Sequence, residues 1–600
     1  MSALAVVALA AVVWADVGAT PAAATPPHSP PPRAPLGKLE QESVDDALGG
    51  LGLTLDPAPE GKTIGHIHVS NQEVFSRRDW WLQWFNHFHR TTRPEILERE
   101  LLMKPGQRYD DAVVQETIRN LQDAPSLTVA GRTVPSPELS SVVAIVPVAS
   151  LRPGEVDLLA VTRDVWSLRL NTVFELQQRS LVKLDTSLSE NNLLGWRKFL
   201  TARFSMDQGL MLIGPTYVDP NIMGTRLNLY ASTSLEYARE TGKYEGNRQA
   251  FAFGYPLYSL GSRWGANVSV VHQTGTTRVF RGNSPALVDL TATPAAMEQI
   301  PYVFRRNVVA VDATIVRSFG VDVIRRVSAG YVVDSRRSAV PADFGSDSTA
   351  ARLFLDEWAP VSEDRSQPYV GFQLFTPRYA IYRDLNTFDL RENRRLGPAV
   401  QALVAYGIPA LGADFPALVL AGELSWAFGP AGWYGIARIT GDTRRRYGTY
   451  IDQGGTASVY AATPLVGRVL RLIVSAQLAS VRASTARTRY VLGGDNGLRG
   501  YIINEFQGTT SALAHAELRT APLALFSQRF GALVFYDVGH AAPSIAGLVA
   551  HHDLGFGLRW LIPQLNSSVL RFDWAFALQN TTYSRAGWPG RFMAGFEQVF

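Results

Sequence analysis

The segment LRFDWAFAL, residues 570–578, decides the fold class. In an extended chain Leu570, Phe572, Trp574, Phe576 and Leu578 share one face, and Arg571 and Asp573 share the other. One side of such a strand suits an apolar medium and the other a polar one. The same period recurs upstream. In LVFYDVG (533–539), Val534, Tyr536 and Val538 oppose Asp537 and Gly539. In GFGLRW (555–560), Phe556, Leu558 and Trp560 oppose Arg559. In AHAELRT (514–520), Ala514, Ala516 and Leu518 oppose His515, Glu517 and Arg519.

Strand patterns with turn punctuation run from about Val165 to the last residue. Soluble β-sandwiches and a closed membrane barrel both produce this alternation locally. The chain end favours the barrel. FMAGFEQVF (592–600) stops inside a strand, with Phe592, Ala594, Phe596 and Phe600 on one face. At roughly 27 residues per strand and connection, residues 165–600 predict an all-β transmembrane barrel of about 16 antiparallel strands.

Composition agrees with this reading. Hydrophobic residues make up 46% of the 600, yet mean hydropathy is −0.01 because they are dispersed. Beyond the N-terminus no run approaches the ~18–20 apolar residues of a spanning helix, so a membrane protein of this kind must cross with strands. Thirteen Trp, 21 Tyr and 28 Phe suit aromatic girdles. A net charge of +4 does not point to nucleic acid as a partner, and the lack of cysteine excludes disulfides and thiol chemistry.

Ala3–Ala15 is an apolar segment of signal-peptide length, although no Lys or Arg precedes it. Residues 1–24 are therefore read as a signal peptide, and 25–60 as a Pro-rich linker. From Gly61 the pattern is mixed α/β. Ile64, Ile67 and Val69 predict a short strand, and Thr92 and Pro94 open a helix that stops at Pro105-Gly106. Asp110 caps a second helix with Val113, Val114, Ile118 and Leu121 on its apolar stripe. Two strand-like stretches follow, SSVVAIVPV and VDLLAVTRDVWSL.

This strand, helix, helix, strand, strand order over residues 61–164 resembles a single POTRA domain, the periplasmic module of outer-membrane assembly factors. The segment YVLGGDNGLRGYIINEF (490–506) resembles the inward-folded loop of the BamA/TamA-like outer-membrane assembly superfamily, also called the bacterial surface antigen family. Gly493, Gly494, Leu498, Arg499, Gly500 and Tyr501 carry that loop motif. Phe535, Asp537 and Gly539, then Gly555, Gly557 and Arg559, follow in the family's order. Phe596 and the terminal Phe600 resemble the C-terminal signal by which such barrels are recognised for insertion. ENNLLGWRKF (190–199) and YVDPNIMGTRLNLY (217–230) resemble early barrel segments of the same superfamily.

Taken alone, Arg499 is either one of many solvated lumen charges or a guanidinium that needs an acceptor once desolvated. Asp537 points inward one strand-length downstream, where a bidentate pair would pin the loop to the wall. The resemblance implies that tether. It also implies partners: outer-membrane lipid, a client polypeptide at the POTRA-like domain, and the barrel-assembly machinery for the chain's own insertion. Family members often carry several POTRA domains, whereas this chain shows one such pattern.

Other features have simpler readings. His66 with His68, and His87 with His89, read as surface histidines rather than metal ligands, and no cofactor is expected. In the insertion WWLQWFNHF, Trp81, Trp84, Phe85 and Phe88 would form one apolar helix face, to pack on the domain or to lie in a membrane interface. No nucleophile–base set or phosphate loop stands out, so no enzyme is expected. The functional expectation is an outer-membrane factor that inserts or transports client macromolecules. The alternatives are a passive outer-membrane channel with a loop-constricted pore, and an enzyme housed in a barrel.

Overall fold

The computed structural model describes residues 35–75, 82–122, 127–129, 132–134, 140–177, 180–282, 284–290, 298–344, 348–565 and 568–596. The signal-peptide reading, Trp81 and Phe600 lie outside them.

Near the N-terminus, Thr63–Gln72 pairs in parallel with Glu155–Asp164, and Glu155–Asp164 pairs antiparallel with Ser140–Ala149. Helices Pro94–Glu100 and Asp111–Gln122 cover one face of this three-stranded sheet. There Leu97, Val114, Ile118 and Leu121 pack on Ile64, Ile145 and Leu158. The other face carries a helix that the linker reading did not foresee, Lys38–Leu51, whose Val44 and Ala47 pack on Ala144, Val148, Leu159 and Val161. With both faces covered, the run Val142–Val148 is apolar almost throughout instead of alternating. The helix ends at Gly52, whose φ of +65° supplies the left-handed turn.

The insertion also differs from expectation. Gln83–Phe88 is a 3-10 helix, too tightly wound for an α-helical stripe, and Trp84 is 54% exposed. Buried His89 joins it to the sheet through Asp164, at 3.2 Å.

The remainder is a closed antiparallel barrel of 20 strands among the described residues. Two wall strands are interrupted. Glu363–Phe375 with Arg378–Tyr382, and Thr510–Thr520 with Leu523–Leu525, each pair as one unit with the following strand. The expected count of 16 falls short because many connections are tighter than assumed. Tyr447-Gly448, with φ of 45° and 87°, turns the chain in two residues. The wall alternates as expected: Val534, Phe556 and Leu558 are exposed, while Asp537, Arg559 and Asp573 are buried inward. Among the described residues no helix is long and apolar enough to cross a membrane.

The α/β unit sits on one mouth of the barrel. Glu100 lies 3.4 Å from both Arg197 and Arg226, on two neighbouring hairpin turns. Asn120 donates to the Tyr258 carbonyl at 2.7 Å, and Arg383 pairs with Glu40 at 2.7 Å. Near the opposite mouth, helix Ser348–Glu357 packs Phe354 against Val288, Ile300 and Tyr302 of the hairpin Leu287–Leu290/Glu298–Pro301 and its continuation.

Candidate functional site

Residues 490–506 leave the wall after the strand Leu470–Arg482 and fold back against inward-facing side chains. The backbone is forced into that path. Gly493, Gly494 and Gly497 have φ of 120°, 63° and 90°, and Leu498 follows at 54°. At Gly500 a Cβ would lie 2.6 Å from both Ala577 N and Asp553 Cβ, so only hydrogen fits there. Leu498 and Tyr501 are fully buried, and the Tyr501 hydroxyl donates to the His552 carbonyl at 2.9 Å.

Arg499 stands at the centre. Its Nε donates to Asp537 Oδ2 and its Nη2 to Asp537 Oδ1, both at 2.8 Å. Its Nη1 donates to Glu517 Oε1, also at 2.8 Å, and lies 3.7 Å from Asp573 Oδ2. The guanidinium carbon lies 3.4 Å from the centre of the Phe535 ring. That ring in turn occupies space left by Gly555, where a Cβ would overlap it and the Trp574 carbonyl. With Arg499, Asp537 and Glu517 all closed to solvent, each charge depends on its partners. The ionic contacts continue outward: Glu517 accepts from Arg519 Nε at 2.7 Å, and Asp573 from Arg559 at 2.7 Å and Arg571 at 3.2 Å.

The same loop reaches the place where the barrel closes. The last described strand, Arg591–Phe596, shares six residue pairs with Leu570–Ala577. With the first wall strand, Leu168–Gln177, it shares three among the described residues: Phe592 with Leu176, Met593 with Glu175, and Ala594 with Phe174. Arg591 pairs with Glu175 directly across this seam. Asp495 of the loop contacts Lys183 at 3.1 Å on one side and Arg571 on the other. Gly494 lies against Glu175, whose Oε1 would be 2.6 Å from a Cβ there.

The chain matches no protein-family model and no curated protein sequence. Among solved structures it is similar to BamA from Haemophilus ducreyi lacking POTRA domains 1–3, at 12% identity and a TM-score of 0.35, over 89% of this chain and 85% of that one. It is also similar to CdiB from Escherichia coli, at 11% identity and a TM-score of 0.42, over 89% and 77%. The copper transporter OprC is a third, at 12% identity and a TM-score of 0.36, over 74% and 73%. These likenesses do not discriminate between functions.

The structure thus places Arg499 and Asp537 together, with Gly493, Gly494, Leu498, Gly500 and Tyr501 in the turn above them. Phe535, Gly555 and Arg559 join the same cluster; Gly557 lies beside Asp573, where a Cβ would overlap the carboxylate, and Gly539 faces Leu513. Phe596 pairs with Leu570 in the last strand. Sequence reasoning missed Glu517 and Asp573 as further acceptors for Arg499, although it placed both on inward faces. It also missed Asp495, Lys183, Glu175 and Arg591, because nothing in a linear pattern pairs the first strand with the last.

Proposed function

We propose that this protein is an outer-membrane assembly or translocation factor of the BamA/TamA-like kind, which inserts or transports client polypeptides. The α/β unit, in this reading POTRA-like and periplasmic, takes an extended client segment by strand addition along Thr63–Gln72. Among the described residues that strand pairs as a strand with Glu155–Asp164 alone, and residues 106–109 cap only its beginning. The barrel then parts at the seam between first and last strands, where the client enters the bilayer or crosses it.

One observation carries the proposal. The last described strand holds its preceding neighbour through six pairs and its closing neighbour through three. Backbone hydrogen bonds make a barrel wall hard to breach, so the edge with the fewest pairs among the described residues is, in this reading, where it opens at least cost. The test locks that edge. The chain contains no cysteine, so Phe174→Cys with Ala594→Cys, two facing positions, gives a single possible disulfide. Cells carrying the oxidised double variant should lose the protein's contribution to outer-membrane assembly and regain it on reduction. Full function with the seam locked would overturn the reading. The competing passive channel predicts steady single-channel conductance that a locked seam leaves unchanged.

A further inference from the structure

We propose that the tip of the lumen loop is a clasp that holds the barrel seam closed at the mouth opposite the α/β unit, with Asn504 gripping the first-strand side and Glu505 the last-strand side. Topology sets the two sides. The α/β unit meets the turns that flank the hairpin Phe199–Met206/Leu210–Asp219, so the tip of that hairpin, with Gln208, lies at the opposite mouth. At the other end of the chain, Trp166 packs on Phe75 of the unit and its backbone N–H donates to the Gln564 carbonyl at 2.7 Å. The connection between Leu570–Ala577 and Arg591–Phe596 therefore also lies at the far mouth. The seam runs between these two hairpins.

Neighbouring residues of the loop reach both. Asn504 Nδ2 donates to Gln208 Oε1 at 2.9 Å, Gln208 Nε2 donates to the Gly282 carbonyl at 2.6 Å, and the Gly282 N–H donates to the Asn504 carbonyl at 3.3 Å. These bonds close a triangle between the loop, the first-side hairpin and the connection that follows strand Trp264–Arg278. Phe280 of that connection rests on Gly209, where a Cβ would lie 2.6 Å from its ring, and its carbonyl accepts from Gln507 Nε2. Asn504 has a φ of 59°, a left-handed conformation that asparagine tolerates. On the other side the Glu505 carboxylate accepts from the hydroxyls of Thr581 and Ser584, and the Ser584 hydroxyl accepts from the Ile502 N–H at 2.9 Å. Glu505 and Ser584 are buried, whereas Gln208 and Asn504 are half-buried. The two grips are unequal. Hydrogen bonds to a carboxylate are roughly twice as strong as those between neutral groups. The neutral Asn504 triangle therefore yields first, and the loop tip stays with the last hairpin. The clasp reinforces an edge joined by three strand pairs among the described residues. That its release admits a client rests on the function proposed above.

The test uses the full chain, purified in detergent, with spin labels on Thr241→Cys and Thr582→Cys, exposed positions on either side of the seam at that mouth. Pulsed distance measurements should give one narrow distribution in the otherwise unchanged protein. Gln208→Ala, and Thr581→Ala with Ser584→Ala, should each raise the share of longer distances at least about threefold, as the loss of one net hydrogen bond implies. Arg438→Gln, which breaks a pair with Glu423 on the far side of the barrel, should leave the distribution unchanged. Heat-modifiable migration in gels shows that each variant is folded. Unchanged distances in the clasp variants, or an equal change in Arg438→Gln, would overturn the clasp. In cells, Gln208→Cys with Asn504→Cys, joined by a reducible bis-methanethiosulfonate bridge, should abolish the contribution to outer-membrane assembly until reduction. Activity that survives this bridge but not the disulfide between positions 174 and 594 would refute the clasp and leave seam opening intact. Activity that survives both would refute seam opening instead, and the distance measurements alone would then decide the clasp.

Discussion

Arg591 in the last described strand and Glu175 in the first form an ion pair across the line where the barrel closes, with both side chains almost wholly buried. The pair stands beside the three pairs that join these strands among the described residues, and against Gly494 of the lumen loop. Seam and loop therefore share a wall.

Removing one member of that pair should cost more than removing both. Arg591→Ala leaves a buried carboxylate without its partner, worth about 3–5 kcal/mol, whereas Arg591→Ala with Glu175→Leu removes the charge entirely. We expect the single variant to lose its folded, fast-migrating form at a lower temperature than the double variant. Equal temperatures would show that water reaches the seam.

Asp495 should couple the loop to the seam. Asp495→Asn weakens contacts to Lys183 and Arg571 together. With cysteines at positions 174 and 594, this change should alter the rate of disulfide formation several-fold while leaving the Arg499–Asp537 pair intact. An unchanged rate would place Asp495 among ordinary lumen charges.

The Arg499 cluster predicts an asymmetry. Arg499→Ala cuts the loop from both Asp537 and Glu517, which keep His515 and Arg519 as neighbours, but Asp537→Ala leaves Arg499 tethered to Glu517. Each charge-assisted bond is worth roughly 1.5–3 kcal/mol. Maleimide labelling of a cysteine at buried Ile503 should therefore accelerate more in Arg499→Ala than in Asp537→Ala. The double variant should match Arg499→Ala, since the contacts belong to one unit.

Gly555→Ala should act at a distance. The added methyl displaces the Phe535 ring, on which Arg499 rests, at a cost of about 1–3 kcal/mol for overpacking. Faster labelling at position 503 without any change at Arg499 itself would be the signature, and wild-type labelling would refute the stacking argument.

Phe600 is expected to direct insertion. Phe600→Asp is expected to leave the chain in the periplasm, measured by fractionation and by loss of heat-modifiable migration. Normal amounts of embedded barrel would reject that role.

Some of this was decided residue by residue along the chain. Period-2 alternation fixes which side chains face outward, because successive Cβ atoms on a strand point to opposite sides whatever the strand's neighbours are. So Leu570, Phe572 and Trp574 could be set opposite Arg571 and Asp573 from the sequence, and Arg499 could be matched to an inward Asp537. The glycines of 493–500 likewise announced a tight turn. Strand number was not legible, because tight turns such as Tyr447-Gly448 and interrupted strands leave no fixed period. Nor was helix Lys38–Leu51, whose apolar positions are few and gain a partner only when the far face of the sheet exists. Ring closure was the decisive tertiary event. It alone brings Arg591 to Glu175, more than four hundred residues away, sets Asp495 between Lys183 and Arg571, and gathers Glu517 and Asp573 around one guanidinium. A local pattern gives each residue its side of the wall, but only the curvature and register of the closed sheet determine which buried charges meet.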